Sequence, residues 1–172
     1  MSLLARLFGQ RPDDRAALHP LWHRVVEIAR EREWYAQCGI ADTVPGRFDA
    51  ITLILALVLL RLEGDPAMAE PSVRLTELFV DDMDGQLRES GVGDVVVGKH
   101  MGKLMGTLGG RLGAYREAMA AGTDAAMAAA VARNVTLVEG TDPMAVATRA
   151  RAFAAGLAAT PVDRVLAAEI GR

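Results

Sequence analysis

Only one cysteine, Cys38, stands in the 172 residues. No disulfide can form within the chain, and a lone thiol fits a reducing compartment. Aromatic residues make up 5% of the chain, so its core has to be built mainly from Leu, Val, Ala and Met. No apolar run approaches the ~20 residues that a membrane-spanning helix needs. The longest, residues 50–60, is bounded by Asp49 and Arg61 and reads as a buried core helix. Basic residues are not in excess: 19 Lys and Arg against 22 Asp and Glu give a net charge of −3, with no global attraction to nucleic acid. No segment alternates with period 2, so no sheet is expected. A secretory leader is not expected either, because Leu3, Leu4, Leu7 and Phe8 make too short an apolar run, broken by Arg6.

What is present is a strong helical pattern in a chain of one-domain length. Hydrophobic residues amount to 51% and charged residues to 24%, an ordinary globular balance. Gly39, Gly64, Gly91, Gly122 and Gly140 each follow a helix-like run, where a left-handed residue belongs. Asp142-Pro143 and Thr160-Pro161 place a capping side chain before a proline at a first helical position. These signals predict helices over residues 18–38, 49–63, 67–90, 95–121, 124–139, 143–159 and 161–170. The expected fold is all-α, a single-domain bundle of about seven helices around an apolar central one. Residues 17–172 form this domain. Residues 1–16 read as an amphipathic arm whose first 11 residues, with Arg6 and Arg11 beside the apolar ones, suit a peripheral membrane contact.

The helix faces name the informative residues. On the third predicted helix Leu75, Leu78, Phe79 and Met83 make an apolar stripe, and Asp82 falls within it. A carboxylate there needs a partner, because burying it alone is costly. Arg47, Lys99 and Arg111 are the candidates, and the sequence does not choose among them. The fourth helix carries two stripes. One is Met101, Leu104, Met105, Leu108, Leu112, Tyr115 and Met119. The other is Gly98, Gly102, Gly106, Gly109 and Gly113. Each helical glycine costs about 1 kcal/mol relative to alanine, so something has to offset the loss. Two readings stand: another helix of the chain packs closely there, or a smooth groove receives a helix from a partner.

Several chemical motifs fail on inspection. Gly93-Asp94-Val95-Val96-Val97-Gly98-Lys99 has phosphate-loop spacing, but His100 stands where Ser or Thr is needed and no strand precedes it. The segment reads as a turn in which Gly91 ends a helix, Gly93 bends and Asp94 caps the next. Asp81-Asp82-Met83-Asp84-Gly85 lacks the closing Glu of a calcium loop. His19 and His23 have metal-ligand spacing without the companion residues, so a structural role is expected. No catalytic constellation, cofactor site or metal site is expected. The rival to a binding protein is an enzyme or small-molecule carrier with an enclosed pocket beside Asp82.

Three segments together resemble the ubiquinol–cytochrome c chaperones, assembly factors of the cytochrome bc1 complex. They are Gly46-Arg47-Phe48-Asp49 with the apolar helix to Leu62; Phe79, Asp82-Met83-Asp84, Leu87-Arg88-Glu89, Gly91-Val92-Gly93-Asp94 and Val97-Gly98-Lys99; and Ala132-Arg133-Asn134-Val135. The opening Met1-Ser2-Leu3-Leu4 to Leu7-Phe8-Gly9 is similar to bacterial members. The chain departs from the family at Ile54, where many members carry histidine, at Gly109-Gly110, where an aromatic precedes Arg111, and at Thr136, where tyrosine is usual. The resemblance implies a helical non-enzyme whose client is cytochrome b or another bc1 subunit. It implies a cytoplasmic location, peripheral to the inner membrane in a bacterium, with a contact to the ribosome. Arg47, Asp49, Asp82, Gly91, Gly93, Asp94 and Lys99 are expected to be architectural. Arg88, Gly102, Lys103 and Gly106 are the expected partner contacts.

Overall fold

The computed structural model describes residues 16–89 and 94–171, with side chains described outside 86–89 and 94–101. Every regular element is helical: α1 (His19–Ala29), α2 (Arg32–Ala36), α3 (Val44–Leu62), α4 (Ala69–Glu89), α5 (Asp94–Ala121), α6 (Asp124–Asn134), α7 (Met144–Ala159) and α8 (Val162–Leu166). Single 3-10 turns at Ala16–Leu18 and Pro66–Met68 lead into α1 and α4.

The apolar run forms the central helix, as expected. Residues 49–59 of α3 are all buried, and α3 packs against α1, α4, α5 and α7. A helix apolar on every face can be stable in water only when neighbours cover every face. Each fully buried Leu or Ile here contributes roughly 1.5–3 kcal/mol. Three aromatic residues cluster, with Phe79 of α4 6.0 Å from Trp22 and 6.2 Å from Phe48 between ring centres.

The last helix, expected to reach residue 170, ends at Leu166, and Ala168 beyond it is left-handed (φ +64°). Three other boundaries differ from expectation, each for a physical reason. The first long helix is two, because Glu31 leaves helical geometry (φ −57°, ψ 131°). Arg149 of α7 bonds Glu31 at 2.7 Å and lies 4.7 Å from the centre of the Trp34 ring, which holds the break. The central helix begins at Val44 rather than at residue 49: the Thr43 hydroxyl accepts from the Gly46 amide at 3.3 Å, and Pro45 occupies the first turn. Gly46 is needed there, because a Cβ at this position would sit 1.9 Å from the Ala41 carbonyl oxygen.

The third difference concerns residues 135–139. Helix α6 stops at Asn134, and the β-branched stretch that follows runs extended. The Ala41 amide donates to Thr136 O at 2.9 Å and the Val138 amide to Gly39 O at 2.9 Å, making one antiparallel bridge between Ile40 and Leu137. Gly140 is left-handed (φ +77°), but it serves the turn after this extended segment rather than a helix end. Gly39 and Gly122 are left-handed as expected, whereas Gly64 is not. Asp142 accepts from the Met144 amide at 2.9 Å at the start of α7, whereas the Thr160 hydroxyl turns back to Gly156 O at 2.8 Å and caps nothing.

Candidate functional site

A carboxylate is indeed buried against a cation, but it is Asp49. Because α3 starts five residues earlier than the sequence pattern indicated, Asp49 lies inside it and faces the core rather than its N-terminal end. Its Oδ1 accepts from Arg111 of α5 at 2.5 Å. Its Oδ2 accepts from the Thr136 amide at 2.8 Å and the Thr136 hydroxyl at 2.6 Å. Arg111 also donates to the Thr52 hydroxyl and lies 5.3 Å from the Phe48 ring centre. One carboxylate thus ties α3, α5 and the extended segment together. Thr136, where the chain departs from the family pattern, supplies two of the three bonds to the carboxylate. Below it the Tyr115 hydroxyl is fully buried, and burial raises its pKa above the ordinary phenol range.

Of the other expected partners of Asp82, Arg47 is engaged elsewhere. Arg47 bonds Asp42 at 2.6 Å, both exposed, and this hydrogen bond holds the Asp42 carboxyl below its usual range. Asp82 itself is half-buried on α4 and engaged. Gly91 and Gly93, the side chains of Arg88, Asp94 and Lys99, and residues 1–15 of the arm lie outside the described residues. His19 and His23 are exposed neighbours with ring centres 6.0 Å apart.

The glycine stripe of α5 faces outward. Gly102, Gly106, Gly109 and Gly110 are exposed. A Cβ added to any of them, or to Gly113, would meet no described atom within 4 Å. Close packing by another described helix of the chain, one of the two readings of this stripe, is therefore not what these glycines serve. The core side of the helix is held by Leu108 and Tyr115, and the stripe lies opposite.

Two clefts flank α5. The smaller, about 440 Å³, lies between α3, α4 and α5 and is almost wholly apolar, with Leu59, Val73, Val80, Met105 and Leu112 in its walls. Met105 and Val73 are 45% and 58% exposed, which is high for such residues on a folded domain. At about 100° per residue, the glycines begin next to Met105 and Leu112, so groove and stripe form one continuous surface. The larger cleft, about 1080 Å³, lies on the other side of α5. Lys103 and Leu104 form one wall, Arg30, Arg32 and Tyr35 the opposite one, and Phe48, Ile51 and Met83 the floor. Burial, with the nearby Asp42 charge second, raises the Tyr35 phenol pKa. Asp82 lines neither cleft. Sequence reasoning picked out Lys103 but missed the basic wall, whose signal was the Arg30-Glu31-Arg32 run at a helix break.

Residues 36–172 match the family described as ubiquinol-cytochrome C chaperone. The chain belongs to that family. The crystal structure of the Cbp3 homolog from Brucella abortus superposes with a TM-score of 0.81 at 29% identity, over 98% of this chain and 96% of that one. No curated protein matches the chain significantly. The family match includes the Asp49 hub, the smaller cleft and the whole glycine stripe, whereas Arg30, Arg32 and Tyr35 of the larger cleft precede it. Among the described residues no helix is long and apolar enough to cross a membrane, and no group of three His, Cys, Asp or Glu side chains could hold a metal ion.

Proposed function

We propose that the protein is an assembly chaperone that binds newly made cytochrome b and promotes biogenesis of the bc1 complex, holding a client helix along the outer face of α5. Membership of the chaperone family supports the role. The single observation that carries the client face is the run of glycines on α5 with no described neighbour of their own. Such a run lowers helix stability by about 1 kcal/mol per residue and gains no contact with another described residue in return. It does let another helix approach its backbone closely, as small residues do where membrane helices meet. The adjoining apolar groove, with exposed Met105, adds an adaptable surface for irregular apolar side chains. Gly102, Gly106 and Lys103 are the contacts proposed on this face, and Arg88 extends it toward the start of the helix. In this reading the chaperone works at the cytoplasmic face of the membrane into which cytochrome b is inserted, with residues 1–11 touching lipid and the ribosome nearby.

The test places a photo-activatable side chain at Met105, with a control at Arg133 on an exposed face of α6, in the full-length protein in its own host. Crosslinks from position 105 to cytochrome b, above other abundant membrane proteins and absent from position 133, are the expected result. Crosslinks to other proteins alone, or equal yields from both positions, would overturn the reading.

A further inference from the structure

The larger cleft reverses the sign of the molecule around it. The chain carries a net charge of −3, yet among the described residues Arg30, Arg32, Arg47 and Lys103 line this cleft against a single carboxylate, Asp42. These cations come from different parts of the chain: Arg30 just after α1, Arg32 in α2, Arg47 in α3 and Lys103 in α5. All four are exposed.

Elsewhere most arginines are satisfied within the fold: Arg111 by Asp49, Arg116 by Glu63, Arg149 by Glu31 and Arg151 by Asp124. On the cleft only Arg47 has a carboxylate, and that pair is open to solvent and available for exchange. Arg30, Arg32 and Lys103 have no ion pair with any described residue. Between the charged walls the floor is apolar, and Val44, 83% exposed, extends it at the lip.

We infer that this cleft is a docking site for an acidic amphipathic helix of a partner protein, separate from the glycine face. Cations on opposing walls above an apolar floor call for an occupant with apolar side chains underneath and carboxylates on both flanks. An amphipathic helix presents that arrangement and lies in a groove in this way. The volume, about 1080 Å³, is on the order of two turns of helix. A bilayer surface is the poorer fit, because it is flat on the scale of this domain and these cations line a recess. The site is independent of the client reading and stands whether or not cytochrome b binds α5.

The experiment is a display selection of 14-residue peptides on the intact full-length protein, followed by fluorescence anisotropy with the best binder. Enriched peptides should carry Asp or Glu flanking an apolar stripe. Binding should weaken about tenfold or more in the Arg30→Glu/Arg32→Glu variant, and also when the peptide's Glu residues are changed to Gln. It should fall with added salt, since the pairs are exposed. The Arg30→Gln/Arg32→Gln variant, with both thermal melts, separates lost docking from lost folding. Crosslinking to cytochrome b, scored on the same variants, should persist. Enrichment of neutral or basic peptides, no enrichment, or binding indifferent to the cleft variants would overturn the inference. So would cleft-dependent binding of phosphatidylglycerol vesicles without any acidic peptide, which would assign the cleft to lipid.

Discussion

Arg111 and Asp49 lie 2.5 Å apart between α5 and α3, with side chains only 13% and 7% exposed. Breaking a buried pair by removing one partner leaves an uncompensated charge and costs about 3–5 kcal/mol. Asp49→Ala should therefore lower stability by roughly that amount, read as a urea midpoint shift with unchanged slope. Adding Arg111→Met should recover part of the loss, because no charge is then stranded. A double variant as unstable as the sum of the two single ones would show that the pair is not coupled.

Two glycines should respond in opposite directions to the same substitution. Gly46→Ala forces a Cβ against the Ala41 carbonyl oxygen, a backbone atom, and should lower the melting temperature sharply. Gly106→Ala meets nothing described within 4 Å and should raise stability by roughly 0.5–1 kcal/mol. Thermal melts of the two purified variants check both signs. A stabilised Gly106→Ala protein with weaker client crosslinking would show helix stability given up for contact.

Cys38 is buried, and desolvation raises its thiol pKa, with Arg149 opposing the shift and Glu33 adding to it. The thiolate is the reactive form. Iodoacetamide should therefore modify Cys38 slowly at neutral pH and rapidly once urea unfolds the chain. Rapid modification of the folded protein would contradict the burial.

The carboxyl of Asp124, at the start of α6, is held below its usual range first by the Thr148 hydroxyl and then by Arg151. A carboxylate whose folded pKa is lowered stabilises the fold above its unfolded value of about 3.9 and loses that contribution as the pH falls through the folded value. Melting temperatures of the wild type and Asp124→Asn should differ at neutral pH and converge in acid. A constant offset down to strongly acid pH would mean that the charge is not what matters.

The course of the chain was legible because helices announce themselves locally. Apolar spacing, glycine stops and the all-apolar run of α3 located the elements and the core. Residues 135–138 were not legible as extended chain, because four residues carry no usable period and their hydrogen-bond partners lie at residues 39–41. Asp82 drew attention because its position on a helix face can be computed from sequence. Asp49 was named only as part of the family motif, and its pairing with Arg111 escaped because a start placed five residues late made it a boundary rather than a core position. Lys103, Gly102 and Gly106 were legible as candidates, but the basic cleft beside Lys103 was not, since Arg30, Arg32 and Arg47 converge on it only after α1, α2 and α3 pack.

The sequence by itself determined the all-helical class, the burial of α3 and the family, because these depend on local periodicity and on contiguous runs of residues. Only the tertiary structure decided that Arg111 belongs to Asp49, that the glycines of α5 face outward, and that scattered cations line one cleft. Each of those depends on which helix face meets which neighbour, and that follows from packing many faces at once rather than from any one segment.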